Sequence, residues 1–157
     1  MARNLGVTFA GVVMLVGAVA TGANAQTGAL TGEDYAEIQR LYYMYNYAFD
    51  SSDGEAYAAV FTEDGEFVVG GGQTLNGREE IAGLPGGRGE VRERPKIFHL
   101  TTNVIIEPAP DGATGSAYVI LIDLAAENVI SGGGVYEDVI VKTSEGWRFK
   151  KRSFFAE

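Results

Sequence analysis

Ile97-Phe98-His99-Leu100-Thr101-Thr102-Asn103-Val104-Ile105-Ile106 is a run of β-branched and apolar residues that ends near Pro108 and Pro110. It reads as a strand, and it carries the only histidine of the chain. Side chains alternate across a strand, so His99, Thr101 and Asn103 share one face with Ile97 and Ile105. Phe98, Leu100, Thr102, Val104 and Ile106 take the other, which is almost wholly apolar and is expected to pack. The first face sets polar groups in an apolar strip, as the wall of a ligand pocket does. The plainer account of His99 is a half-buried side chain with its polar atoms satisfied.

Working outward from the strand, the N-terminal side offers a long helix. From Glu33 to Phe49 the positions Tyr35, Ile38, Leu41, Tyr42, Tyr45 and Phe49 recur at three- and four-residue steps, which is one face of an amphipathic helix. Thr31 is placed to cap it and Asp34 to favour its positive end. Four tyrosines fall within Tyr42–Tyr47, and Tyr42 reads as an aromatic core position. Asp50 closes the helix just before a turn. Ser52 and Glu55 have capping-box spacing, so a short second helix is expected over Glu55–Phe61. Thr62 to Gly65 reads as a turn, Glu66 to Val69 as a short strand, Gln73 to Leu75 as its extension or a second short strand, and Arg78 to Ala82 as a small helix.

The loop Leu84-Pro85-Gly86-Gly87-Arg88-Gly89 lacks the frame of a phosphate-binding motif. Arg88, Arg92, Arg94 and Lys96 make a basic cluster beside it, best read as a solvated loop. After the histidine strand come three more, over Ala113–Asp123, Val135–Lys142 and Trp147–Phe155, separated by turn residues at hairpin spacing. In Ala113–Asp123, Val119, Leu121 and Asp123 share a face, and Tyr118, Ile120 and Ile122 the opposite one. Helices first and an antiparallel meander last imply an α+β fold with a curved sheet packed on the helices.

The 157 residues suit one domain, and the absence of cysteine excludes disulfides and thiolate chemistry. One histidine without cysteine argues against a zinc site. A formal charge of −9 argues against a nucleic-acid partner. Residues 1–25 are a separate object: Arg3, an apolar run from Leu5 to Ala20, then Ala23-Asn24-Ala25, which fits the small-x-small cleavage rule. They read as a secretory signal peptide cut after Ala25, leaving a domain over 26–157 that is exported, to a bacterial periplasm, with no membrane attachment. Loss of Arg3 takes the charge to −10 from the −9 of the whole chain.

Tyr45-Asn46-Tyr47-Ala48-Phe49-Asp50-Ser51-Ser52-Asp53, followed by Phe61-Thr62-Glu63-Asp64-Gly65, resembles the opening of SnoaL-like proteins in the nuclear transport factor 2-like superfamily. Asn76-Gly77-Arg78-Glu79-Glu80-Ile81 resembles their next signature, and His99-Leu100-Thr101-Thr102-Asn103 their histidine strand. Gly134-Val135-Tyr136-Glu137-Asp138 and Gly146-Trp147-Arg148-Phe149 through Arg152 resemble their last two strands. The resemblance implies a cone-shaped, strongly bent, mostly antiparallel sheet, with helices closing one side around an apolar pocket. Similar relatives include scytalone dehydratase, bile-acid 7α-dehydratase, ketosteroid isomerase, polyketide cyclases and lyases of lignin-derived aromatic dimers. Most use no metal or organic cofactor, so none is expected here, and a homo-oligomer, dimer or trimer, is expected.

In dehydratase-like members a helix-end aspartate and a strand histidine face each other in the pocket, and Asp50 and His99 match those positions. Tyr45 matches a pocket tyrosine. Tyr42, Phe49, Thr101, Asn103, Asp123 and Arg152 are the implied substrate-binding positions. Phe49 stands where scytalone dehydratase has a tyrosine, and there is no second histidine to match that enzyme's other one.

Histidine can move a proton near neutral pH, a carboxylate fixes its tautomer, and a tyrosine can donate to an oxyanion. The set suits dehydration, a double-bond shift or loss of a small carbonyl fragment from a hydrophobic cyclic or aromatic molecule, in a lyase or isomerase. Two other readings stay open: a non-catalytic binding module for a hydrophobic ligand, and a structural association domain using Tyr118, Ile120 and Ile122.

Overall fold

The computed structural model describes residues 28–85 and 96–157. The expected signal peptide, and the arginines of the basic loop, lie outside the described residues. Three helices, α1 (Gly32–Asp50), α2 (Gly54–Ala59) and α3 (Gly77–Ala82), accompany six strands: β1 (Phe61–Val68), β2 (Thr74–Asn76), β3 (Ile97–Ala109), β4 (Gly112–Asp123), β5 (Val129–Thr143) and β6 (Gly146–Ala156). The strands form one sheet in the order β2-β1-β6-β5-β4-β3. Only the β1–β6 pairing is parallel. The architecture is the expected α+β cone: helices on the concave face of a curved, unclosed sheet.

The first helix starts where its caps place it. Thr31 Oγ1 accepts from the Asp34 amide, while the Asp34 carboxylate accepts from the Thr31 amide, a reciprocal capping box. Asp34 also binds Lys142 at 2.7 Å and the indole N–H of Trp147 at 3.0 Å, so the cap ties α1 to the β5–β6 hairpin. Ile38, Leu41, Tyr42, Tyr45 and Ala48 turn inward and meet Phe61, Phe67, Tyr136, Ile140 and Phe149 from the sheet. Among the described residues no helix is long and apolar enough to cross a membrane.

Four local expectations are corrected. The cap of α2 is Asp53, whose carboxylate accepts from the Ala56 amide, and Ser52 instead takes a left-handed conformation, with φ of 60°. The helix ends at Ala59, because Phe61 already pairs with Phe149 in the sheet. The expected turn at Thr62 to Gly65 lies inside β1, at a register shift between Phe61 and Glu66. The strand expected over Val135–Lys142 already begins at Val129, so the Gly132–Gly134 run lies within β5. There a side chain on Gly134 would overlap the Phe155 carbonyl and the Phe154 ring.

The largest correction concerns β3. Its register shifts between Thr102 and Ile105, and Asn103 there has φ of 53°. A bulge of this kind reverses the facing of every residue beyond it. His99 and Thr101 do point inward, but Val104 and Ile106 then take the inner face and Ile105 is exposed. Phe98 and Leu100, expected to pack, lie on the outer face, 41% and 45% exposed.

Candidate active site

The end of α1 meets the edge strand of the sheet. Asp50 Oδ1 lies 2.5 Å from His99 Nδ1, and Asp50 Oδ2 accepts the His99 backbone N–H at 3.0 Å. One carboxylate therefore holds both the ring and the main chain of the same residue. The second contact also satisfies a backbone donor of an edge strand, which otherwise needs water or another chain. Both side chains are 12% exposed. Phe49 stacks obliquely on the imidazole with centroids 4.6 Å apart, and Tyr57 packs edge-on against Phe49 at 5.3 Å.

A carboxylate on Nδ1 fixes the tautomer with the proton on that nitrogen, leaving the Nε2 lone pair free to accept one. Nε2 makes no hydrogen bond to the described residues. The imidazole is thus oriented from behind, against an aromatic wall. Among the described residues, no group of three or more His, Cys, Asp or Glu side chains is placed to hold a metal ion.

Deeper in the cone lies a second polar centre. Arg152 is fully buried and makes a bidentate pair with Asp138, Nε to Oδ1 at 2.7 Å and Nη2 to Oδ2 at 2.8 Å. The two residues face each other directly across β5 and β6. Tyr42 donates its hydroxyl to Asp138 Oδ2 at 2.7 Å. The guanidinium sits within 3.9–4.9 Å of the rings of Phe149, Tyr45, Tyr136 and Tyr42. Burial works against the cation, but the charge and hydrogen bonds of Asp138 outweigh it and hold Arg152 more firmly protonated than usual. Its Nη1 has no partner among the described residues.

The remaining sequence candidates divide between these centres and the surface. Tyr45 is in the core, and its hydroxyl accepts from Tyr57 at 2.8 Å. Thr101 Oγ1 accepts from Asn46 Nδ2 at 2.9 Å, beside the dyad. Phe49 lines the dyad itself. Asn103 is exposed on the bulge, where its side chain accepts from Thr102 Oγ1. Asp123 closes the turn after β4 by accepting from the Ala125 and Ala126 amides at 2.8 and 3.2 Å. Three residues of these centres were not singled out from sequence. Asn46 carried a signal, its four-residue spacing from both Tyr42 and Asp50. Asp138 carried one too, a charge on the strand face shared by Tyr136 and Ile140. Tyr57 gave none beyond its place in an apolar stripe.

A family model described as a SnoaL-like domain matches residues 31–153. No curated protein sequence matches the chain. Among solved structures, Rv3472 of Mycobacterium tuberculosis, a protein of unknown function, is 28% identical with a TM-score of 0.69, over 81% of this chain and 78% of that one. An NTF2-like protein with a cystatin-like fold from Novosphingobium aromaticivorans is 26% identical with a TM-score of 0.69, over 79% and 82%. A protein assigned as a scytalone dehydratase from the same organism is 24% identical, with a TM-score of 0.63, over 80% and 85%, and shows likeness of fold.

The buried tyrosines make the fold sensitive to alkali. Burial first, then neighbouring polar groups, raises the phenols of Tyr42, Tyr45 and Tyr136, and burial raises that of Tyr57. A group with a raised folded-state pKa contributes stability that is complete below its unfolded value and is lost as pH rises toward the folded one. The urea midpoint should therefore fall steadily above about pH 10, the ordinary tyrosine value. A midpoint unchanged between pH 9 and about pH 11.5 would contradict this assignment of the four phenols.

Proposed function

Because the chain belongs to the SnoaL-like family, by a match spanning most of its length, we propose that it is a cofactor-independent lyase or isomerase. Its substrate is a hydrophobic cyclic or aromatic small molecule, and the carrying observation is the Asp50 carboxylate held at 2.5 Å from His99 Nδ1 beside Phe49. In this reading His99 Nε2 takes a proton from a carbon activated by a neighbouring carbonyl or aromatic ring. The C–H electrons form the new double bond. In a dehydration the C–O bond breaks as the imidazolium returns its proton to the departing hydroxyl, so water leaves and the base is restored. In a double-bond shift the proton returns to the far carbon. Loss of a carbonyl fragment uses the same base on a hydroxyl proton: the O–H electrons form the carbonyl of the departing fragment, the C–C electrons pass into the conjugated system, and the imidazolium returns its proton to the carbon that receives them. Asp50 stabilises the imidazolium in each case.

Tyr45 is the proposed donor to a developing oxyanion. Its raised pKa keeps the phenol protonated, and the Tyr57 hydroxyl that donates to it polarises it further. Arg152 Nη1 is a proposed contact for a substrate oxygen at the closed end of the cone. Cleavage after Ala25 and a periplasmic location are part of the proposal, and the mass of the protein recovered from a periplasmic extract checks both.

Asp50→Asn tests the catalytic reading with little change in shape. The amide can still accept the His99 backbone N–H, but it presents its NH2 to Nδ1, which selects the tautomer with a protonated Nε2. With a substrate found by screening for dehydration, isomerisation and fragment loss, kcat/KM should fall roughly 10²–10⁴-fold. An Asp50→Asn protein of full activity would sink the mechanism. Ligand retention by an Asp50→Asn/His99→Ala protein, when the parent turns over nothing, would favour the binding module.

A second copy of the chain is the proposed occupant of the outer sheet face. Phe98 stands opposite Ile122 and Leu100 opposite Ile120, while Tyr118, Val135 and Phe155 form a row across β4, β5 and β6. Tyr118 is 54% exposed and Phe155 50%. Contiguous exposed apolar surface of this kind marks interaction sites, and stable dimers bury about 800 Å² per partner. Light scattering should give a dimer or trimer for the parent and a monomer for Leu100→Glu/Tyr118→Glu. A monomeric parent would remove this proposal.

A further inference from the structure

The polar contacts between α1 and the sheet follow one stripe of the helix. Tyr42, Asn46 and Asp50 stand four residues apart and so lie on one face. Each reaches a strand: Tyr42 to Asp138, Asn46 to Thr101, Asp50 to His99. The middle step has no part in the chemistry derived above, yet it is half-buried and closely matched. Asn46 Nδ2 donates to Thr101 Oγ1 at 2.9 Å, and the same hydroxyl lies 3.2 Å from Asn46 Oδ1 and can donate back to it. Thr101 is two residues from His99 and on the same side of β3, so the pair stands next to the dyad along both the helix and the strand.

This matters because of where His99 sits. In the sheet β3 is an edge strand, paired with β4 alone. Its ladder is interrupted just after Thr102, at the Asn103 bulge. Backbone pairing therefore holds the His99 segment on one side and is broken beyond it. On the other side, the polar contacts between α1 and β3 are Asp50–His99 and Asn46–Thr101. A ring-to-carboxylate contact of 2.5 Å leaves little room for the helix to slide along the strand or lift from it.

We propose that Asn46, acting through Thr101, is a positioning residue that sets the register of α1 against β3 and so holds the His99 ring on Asp50. It touches no reacting atom. The consequence for turnover rests on the reading of His99 as the base; the effect on the ring does not.

The test uses the 15N-labelled full domain, in which the single histidine makes the imidazole signals self-assigning. Long-range 1H–15N correlations report the tautomer, and a strongly deshielded proton reports the Nδ1–H···Oδ1 contact. The parent should show the Nδ1–H tautomer alone, with that proton present. Asn46→Leu, which keeps volume, and Thr101→Val, which keeps shape, should each lose the deshielded proton and show a mixture of tautomers. Thr101→Ser, which retains the hydroxyl, should restore the parent pattern. If Asn46→Leu fails to give a folded amide spectrum, Thr101→Val decides the matter.

Folded Asn46→Leu and Thr101→Val proteins that both keep the parent pattern would overturn the proposal, leaving Asn46 as packing alone. A parent lacking the Nδ1–H tautomer would overturn it together with the dyad. Loss of the signal without loss of turnover would overturn the catalytic reading of His99 and leave the positioning role standing.

Discussion

A guanidinium buried among aromatic rings is the constraint around which the cone is built. Removing Arg152 and Asp138 from water costs several kcal/mol per ion, and attraction between them offsets that only with good geometry. The geometry here is a two-pronged pair on directly opposed strands, with Tyr42 satisfying a further site on the carboxylate. The faces of four rings lie against the cation, and such contacts gain strength when desolvated. Few arrangements of β5, β6 and α1 meet all these demands at once. The pair therefore selects one packing of the helix on the sheet, whatever its net contribution to stability. Gly115 follows from the same constraint, since a side chain there would overlap the Tyr42 hydroxyl.

That packing decides where the far end of α1 arrives. Tyr42 is anchored at the centre, and Asp50 lies eight residues on, about 12 Å along the axis at 1.5 Å per residue. The helix thus carries its last carboxylate from the core to the edge of the sheet. There it meets both a strand N–H in need of an acceptor and the one imidazole of the chain. One side chain thus holds the strand and orients the ring. A carboxylate engaged by a main-chain donor is fixed in orientation, and a fixed carboxylate selects a tautomer more sharply than a mobile one.

The dyad stands in an apolar setting. Phe49 and Tyr57 give the imidazole an aromatic flank, and low local polarity strengthens each hydrogen bond formed there. Such a flank recognises area and shape, with few polar features to read.

The sequence by itself determined the order and type of the larger elements, because periodicity is local. The apolar steps of α1 and the alternation and turn residues of the last strands needed no knowledge of the fold. It offered His99 as the sole histidine on a strand, and Asp50 through the resemblance of the surrounding stretch to SnoaL-like proteins. Tertiary structure decided what depends on distant partners. The bulge at Asn103 reverses half a strand through a backbone conformation that no pattern of side chains announced, so Val104 and Ile106 exchanged faces with Ile105. Arg152 found its carboxylate because Asp138, fourteen residues earlier, stands opposite it across a hairpin. Asn46 acquired a role only when Thr101 came within hydrogen-bond reach. Local chemistry writes helices and strands into the chain, but pairing between residues far apart in sequence exists only after the chain has closed on itself.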